Sequence, residues 1–276
     1  MIKDIVVNLS TANSEDVISD LAISVANLFE AHLSGIAFAY QPEFPTVGYG
    51  EIPTKYIDEM VTESRQRAAV SIDAFNEATR RAGLSASSRQ VEIDIGSSGD
   101  AFARIARNFD LSIVKQVQRG HATASDSIPE VTLLGSGRPV LIVPFIQKDG
   151  LKLDRVTVCW DGSRTAARAV ADALPFLTRA AAVDVLIVED QYVKSDEIHG
   201  VNIGHHLARH GLKPEVRRVV AREIDVASAI LSYTAETSTS LIVMGGYGHS
   251  RVRELILGGA TRGILTSMTV PVLMSH

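Results

Sequence analysis

Residues 240–248, SLIVMGGYG, place an apolar run directly before a cluster of glycines. The run has the length and composition of a parallel strand that is buried on both faces. Six glycines fall within residues 245–263: Gly245, Gly246, Gly248, Gly258, Gly259 and Gly263. Glycine lets a chain turn sharply and carries no Cβ, so its backbone can come close to another group. The stretch therefore predicts a strand that ends in a tight, ligand-approaching turn.

Outward from this strand, apolar runs alternate with segments of helical periodicity along the whole chain. The predicted strands are 4–9, 33–40, 89–95, 111–117, 139–144, 155–160, 183–190, 214–220, 240–246 and 271–275. The predicted helices are 14–32, 54–82, 97–110, 163–180, 197–211, 225–238 and 260–268. This alternation is typical of parallel strands joined by right-handed crossover helices. We expect an α/β fold with doubly wound, Rossmann-like parallel sheets.

The pattern occurs twice, which indicates an internal duplication. The first strands of the two halves align at an offset of 151 residues, as between Val6 and Thr157. The last strands align at an offset of 132 residues, as between Pro139 and Pro271. A polar linker, 148–154, separates the halves. We predict domains at residues 1–147 and 152–276 that pack as a pseudo-dimer, with the edges of their last strands meeting.

Composition narrows the classes of function. The 276 residues are 46% hydrophobic with a formal net charge of -5, and the charges form no tail, which argues against nucleic acid as a partner. The N-terminus does not read as a signal peptide and no window is apolar enough to cross a membrane, so we expect a cytoplasmic protein without membrane contact. The single cysteine, Cys159, excludes a disulfide within the chain.

The glycine spacing carries the most specific signal. Gly245, Gly248 and Gly258 are separated by two and nine residues, and Gly259 follows. Together with Asp161, Gly162 and Ser163 after the first strand of the second half, this pattern resembles that of nucleotide-binding members of the universal stress protein family. The resemblance covers both halves and implies an adenine nucleotide alpha hydrolase-like fold. One position departs from the family pattern: Gly259 stands where the family has Ser or Thr, and the nearest hydroxyl is that of Thr261.

The residues suggest a pocket at the carboxyl ends of the strands, where ligands bind in such sheets. Backbone N–H groups of the glycine turn and of the helix that begins near Gly259, Ala260 and Thr261 would hold phosphates. Asp161 would accept hydrogen bonds from ribose hydroxyls, or else serve as a helix N-cap. By the resemblance, the backbone of Val188 meets the adenine. The implied ligand is ATP or another adenine nucleotide, with or without Mg²⁺.

The other motifs are less informative about function. The spacing fits neither a Walker A loop nor a dinucleotide fingerprint. Arg251, Arg253 and His249 are polar loop residues, and His199, His205 and His206 lack the partners of a metal site. The glycines themselves have a simpler interpretation, in which they only cap a helical turn and mark the exit from a strand.

No catalytic apparatus is visible, so an enzyme is disfavoured, although slow ATP hydrolysis by positioning alone stays open. The first half has bulkier residues, from Lys115 to Gln118, where the second has its glycines, and Leu9 to Thr11 where the second has Asp161 to Ser163. We therefore expect this half to be degenerate and structural. The leading interpretation is a stress-response binding protein with a protein partner or a homodimer. The alternatives are a nucleotide-free interaction module and an enzyme on the same architecture.

Overall fold

The computed structural model describes residues 1–9, 17–41, 54–117, 126–190, 200–221, 224–248 and 259–276. These residues form two compact units. The N-terminal unit comprises residues 2–136 and 148–150, and the C-terminal unit comprises 137–147 and 151–276 together with Met1. The units differ from the predicted domains mainly in the placement of 137–147. The α/β fold itself is confirmed.

The N-terminal unit contains four parallel strands in the order β3-β2-β1-β4. Its elements are β1 (Asp4–Asn8), α1 (Val17–Phe29), β2 (His32–Gln41), α2 (Thr54–Arg81), β3 (Ala86–Asp94), a 3₁₀ turn (Ile95–Ser97), α3 (Ser98–Ala106), β4 (Leu111–Lys115) and α4 (Ile128–Gly135). Gly35 of β2 is required by packing, because a Cβ there would lie 2.9 Å from the fully buried ring of Phe75 on α2.

Helix α4, which lies between β4 and β5, is not among the helices predicted from the sequence. Its start offered a signal, since Ser127 occupies the N-cap position and Pro129 lies in the first turn, where proline is tolerated. The apolar period of this eight-residue helix does not stand out beside Gly135, its last residue, and Gly137, which follows it.

The C-terminal unit has the strand order β5-β10-β9-β6-β7-β8. Its elements are β5 (Val140–Val143), β6 (Arg155–Cys159), α5 (Arg164–Leu177), β7 (Ala182–Asp190), α6 (Gly200–Arg209), β8 (Glu215–Ala221), α7 (Val226–Glu236), β9 (Leu241–Gly245), α8 (Ala260–Ser267) and β10 (Val272–Ser275). Five of these strands are parallel. β5 runs antiparallel to β10, with Leu141 opposite Leu273, so the expected meeting of the two last strands is confirmed.

The central strands of the C-terminal unit are buried almost throughout. All of β10 and the first four residues of β9 are buried. Strands covered on both faces lose the polar alternation of half-exposed strands, which explains their continuous apolar runs. The parallel strands β6 and β9 are direct neighbours, with Val158 opposite Val243, so their carboxyl ends emerge side by side.

Candidate functional site at the ends of β6 and β9

The segment between β6 and α5 is held by local hydrogen bonds. Asp161 Oδ1 accepts a hydrogen bond from the backbone N–H of Ser163 at 2.9 Å, and Gly162 between them has a φ of +75°. Ser163 Oγ then accepts from the N–H of Ala166 at 3.1 Å and is the N-cap of α5. The capping role therefore belongs to Ser163. The Asp161 carboxylate forms the preceding turn and is exposed.

The glycines at the end of β9 lie against the first turn of α5. A Cβ at Gly245 would stand 2.5 Å from both the backbone nitrogen of Ala166 and Thr165 Oγ1. A Cβ at Gly248 would lie 2.8 Å from Thr165 Oγ1 and 3.1 Å from Ser163 Oγ. The close approach inferred from the sequence is real, but in this structure the neighbour is the chain itself. The substitution Gly248→Val would therefore test packing as well as ligand binding.

Thr165 is a site residue that the sequence analysis missed. It is buried, its Oγ1 lies 3.1 Å from Ser163 Oγ, and both glycines rest on it. The available signal was a hydroxyl residue two positions after Ser163. Its importance depends on which strand end lies over it. The sequence does not show that Gly245, 80 positions further along the chain, lies against Thr165.

The turn after β9 is anchored on both sides. Tyr247 adopts a φ of +52°, uncommon for a residue other than glycine. Its N–H donates to Thr261 Oγ1 at 3.0 Å. The N–H of Gly246 donates to the carbonyl of Ser275 at 2.9 Å, and His276 Nδ1 lies 3.0 Å from the Gly246 carbonyl oxygen. The turn is thus tied to α8 and to the end of β10.

Helix α8 begins at this turn. Its N-cap is Gly259, which has no side chain with which to cap the first N–H groups. Ala260 is half-buried and Thr261 is 2% exposed. At Gly263 a Cβ would stand 2.5 Å from the Cβ of Ala227, so α8 packs tightly on α7. The N-termini of α5 and α8 are therefore both joined to residues 245–248.

This arrangement favours an anion. The first N–H groups of a helix lack partners within the helix and carry the positive end of its dipole. Two such ends meet at the glycine turn, while the carboxylate of Asp161 adds negative charge at the end of β6. Phosphate groups would therefore be favoured near α8 and hydroxyl donors near Asp161.

The remaining residues that the sequence singled out fall in three groups. Val188 is half-buried near the end of β7, opposite Val219 of β8. Outside the described residues lie Gly258, His199, His249, Arg251 and Arg253. His205 and His206 are exposed on α6, where the ring of His206 lies 4.9 Å from that of His210.

Cys159 ends β6 and precedes the site by two residues. The residue as a whole is half-buried. Removal of its thiolate from water, with a smaller contribution from the negative charge of Asp161, raises the pKa of the thiol to about 12. The thiol is protonated at neutral pH, and a protonated thiol is a poor nucleophile.

A second polar cluster lies in the same sheet toward the start of β6. Arg155 Nη1 lies 2.8 and 2.9 Å from the two carboxylate oxygens of Asp184, which is 1% exposed, and Tyr233 donates to the same carboxylate at 2.9 Å. Burial, followed by the interaction with Asp184, raises the pKa of Tyr233 to about 12. The cluster satisfies a buried charge and is structural.

The corresponding strand ends in the N-terminal unit differ. Gln116, aligned with Gly245, is buried, and Leu9, aligned with Trp160, is buried as well. Helix α4 begins with Ile128 and Pro129, both buried, and proline has no N–H to offer.

The fold and the site define a doubly wound α/β protein, and comparison with known proteins leads to the same class. Residues 152–276 match the model described as "Universal stress protein family". The universal stress protein Slr1230 of Synechocystis sp. is 25% identical over 219 residues, which are 76% of this chain and 72% of that protein. Over residues 152–276, the chain is therefore similar to the universal stress protein family.

Solved structures show the same fold over both halves. A universal stress protein from Archaeoglobus fulgidus DSM 4304 superposes with a TM-score of 0.72 at 18% identity and covers 99% of this chain and 95% of its own. A protein described as a putative universal stress protein, from Pseudomonas aeruginosa UCBPP-PA14, gives a TM-score of 0.62 at 13% identity, with 99% and 93% covered.

Two features of the described residues concern membranes and metal ions. None of the helices there is long and apolar enough to cross a membrane. The same residues contain no group of three His, Cys, Asp or Glu side chains that could hold a metal ion.

Proposed function

We propose that residues 152–276 bind ATP or a related adenine nucleotide at the carboxyl ends of β6 and β9, and that the protein acts as a stress-response binding protein. The observation that carries this proposal is the glycine turn that joins two helix N-termini. Gly248 lies against Ser163 and Thr165 at the start of α5, and Tyr247 is bonded to Thr261 at the start of α8. The family resemblance of the glycine spacing supports the same ligand.

In this proposal the phosphates lie at the start of α8, which Gly259 leaves uncapped by any side chain. The ribose hydroxyls donate to Asp161, whose carboxylate is exposed and would repel a phosphate at the same place. Adenine lies along β7 near Val188. ATP binding would bias the protein toward whichever conformation binds it better, and so change its contacts with a protein partner or a second copy.

The decisive variant is Gly259→Asp. An aspartate at the N-cap satisfies helix N–H groups and stabilises α8, while its charge repels phosphate. We expect ATP affinity, measured by calorimetry, to fall about tenfold or more, with the melting temperature unchanged or higher. Adenosine, which has no phosphate, should lose little affinity. Equal ATP affinity in wild type and variant would show that α8 does not receive the phosphates.

Asp161→Ala tests the ribose contact and has a matched control in Asp154→Ala. Asp154 is also exposed but lies just before the opposite end of the same strand. Losing hydrogen bonds to a charged acceptor should weaken ATP binding by about tenfold in the first variant and not in the second. Equal affinities in both variants would exclude Asp161 from the site.

A nucleotide-free interaction module is the second candidate. It is favoured by the missing family hydroxyl at Gly259 and by the existing bond between Thr261 and Tyr247. Protein purified without nucleotide, as shown by chromatography after denaturation, and unable to bind ATP would support this candidate. Multiple-turnover phosphate release would instead indicate a slow ATPase.

A further inference from the structure

A groove in the N-terminal unit lies outside the proposed nucleotide site. It is open to solvent and has a volume of about 570 Å³. Its lining comes from β3 and from α3 with the turn after it: Arg89, Gln90, Val91, Glu92, Ala101, Arg104, Ile105 and Asn108. Four consecutive strand residues take part. Side chains alternate between the two faces of a strand, so four in succession line one groove only if it follows the edge of the strand.

The edge that faces the groove has unpaired backbone groups. In the described part of the chain, β3 ends the strand order and pairs only with β2. The N–H of Leu33 donates to the carbonyl of Ser85, and the register places Leu33 opposite Ala86. By the alternation of a parallel ladder, odd-numbered residues of β3 turn their backbone groups toward β2. Gln90 and Glu92 therefore point theirs outward, as on an open sheet edge.

The charge of the groove is positive. Within the described residues, no hydrogen bond or ion pair engages the exposed guanidinium groups of Arg89 and Arg104. The one carboxylate in the lining, that of Glu92, is held by Arg65 at 2.8 and 3.0 Å and by Gln41 at 3.0 Å. The hydrogen bond with Arg65 lowers the pKa of Glu92, and its charge is offset. Two arginine charges remain for a partner.

The wall contributed by α3 is mixed. Ala101 is buried and Ile105 is half-buried, and Arg104 stands beside them. Together with half-buried Val91, these residues offer apolar contacts between the charged ones. An occupant that matches the groove has a free backbone edge, acidic side chains and apolar side chains in alternation. An extended peptide has all three.

We propose that the groove along β3 binds an extended acidic segment of another protein, which adds to the sheet as a strand. Backbone hydrogen bonds to Gln90 and Glu92 would supply affinity, and Arg89 and Arg104 would select carboxylates. The four lining residues of β3 span about 13 Å at ~3.3 Å per residue, enough for four residues of a partner.

The experiment uses the full chain and two labelled peptides of six residues. One alternates glutamate with valine, and the other alternates lysine with valine. Fluorescence anisotropy should show the acidic peptide binding at least about tenfold more tightly than the basic one at low salt, with the difference shrinking as salt is added. Equal affinities, or no binding of the acidic peptide, would overturn the proposal.

Two sets of variants separate charge from backbone pairing. Arg89→Glu combined with Arg104→Glu should weaken the acidic peptide about tenfold. Gln90→Pro removes one outward N–H on an edge strand, where proline is tolerated, and should weaken binding about fivefold, whereas Gln90→Thr keeps the donor and the affinity. Unchanged affinity in Gln90→Pro, in a protein with wild-type thermal stability, would exclude strand addition.

Amide hydrogen exchange reports the pairing directly. With the acidic peptide bound, the amides of Gln90 and Glu92 should exchange more slowly, while those of Arg89 and Val91, already directed at β2, should change little. Slow exchange at Gln90 and Glu92 without peptide, together with a concentration-dependent dimer in sedimentation, would assign the groove to a second copy of the chain and overturn the proposal.

Discussion

The carboxyl ends of β9 in the C-terminal unit and β4 in the N-terminal unit start from the same sequence pattern and finish differently. After β9, Gly245 and Gly248 lie against the first turn of α5, and Tyr247 is bonded to the start of α8. After β4, the aligned Gln116 is buried, and α4 starts with Ile128 and Pro129. One strand end thus brings helix N–H groups together, and the other covers the same region with side chains.

The difference shows which segments of a duplicated fold vary between its two copies. Both halves of the sequence contain buried parallel strands, and in both a helix of eight residues comes before the last strand. The halves differ in the residues that follow these strands and in the second helix, which has 28 residues in α2 and 10 in α6. Three experiments would sharpen or break this comparison.

Gly245→Val should have the largest effect. Its Cβ would meet the backbone of Ala166 and Thr165 at 2.5 and 2.6 Å, so the first turn of α5 must move. We expect the free energy of unfolding to fall by about 3 kcal/mol in urea denaturation. At the aligned Gln116, where a side chain is already accommodated, a valine should cost about 1 kcal/mol. Equal losses would show that the two strand ends do not differ in steric demand.

Helices α8 and α4 occupy corresponding places in the two halves of the sequence. Replacing one threonine in each should change the free energy of unfolding by different amounts. Thr261→Val removes the acceptor of the Tyr247 N–H and should cost about 1–3 kcal/mol. Thr132 is fully buried, and its hydroxyl has no hydrogen-bond partner in the described structure. Thr132→Val should therefore be neutral or stabilise by up to about 1 kcal/mol. Thermal unfolding of both variants measures this, and a larger cost at Thr132 would contradict it.

The smallest effect concerns Cys159, which lies beside Asp161. With its pKa raised to about 12, the thiol in native protein should resist iodoacetamide at pH 8, where urea-unfolded protein reacts fully. Asp161→Asn removes the minor cause of the shift, so the pKa should fall but stay above the ordinary 9.0. Because the folded pKa is the higher one, burial of the thiol stabilises the fold below about pH 9 and less as pH rises toward 12. Rapid modification of native protein at pH 8 would show that the thiol is exposed.

The sequence by itself indicated the ten strands of the described residues. Continuous apolar runs identify the central, buried strands, whereas β3 and β8 are mostly exposed or half-buried and are marked by their β-branched residues. The sequence also indicated the edge of the sheet that carries the glycines. It did not indicate α4, because Gly135 at the end of this helix and Gly137 just after it are typical of a loop.

The tertiary structure alone decided what the glycines touch. Sequence reasoning assigned the bare backbone of Gly245 and Gly248 to a ligand, whereas the fold places Thr165 and Ser163 against it. The sequence also did not predict the hydrogen bond between Tyr247 and Thr261. Nor did it predict that the open edge of β3 lies beside Arg104. The physical reason is that periodicity and glycine content act within a few residues of chain, whereas these contacts depend on which strands lie side by side.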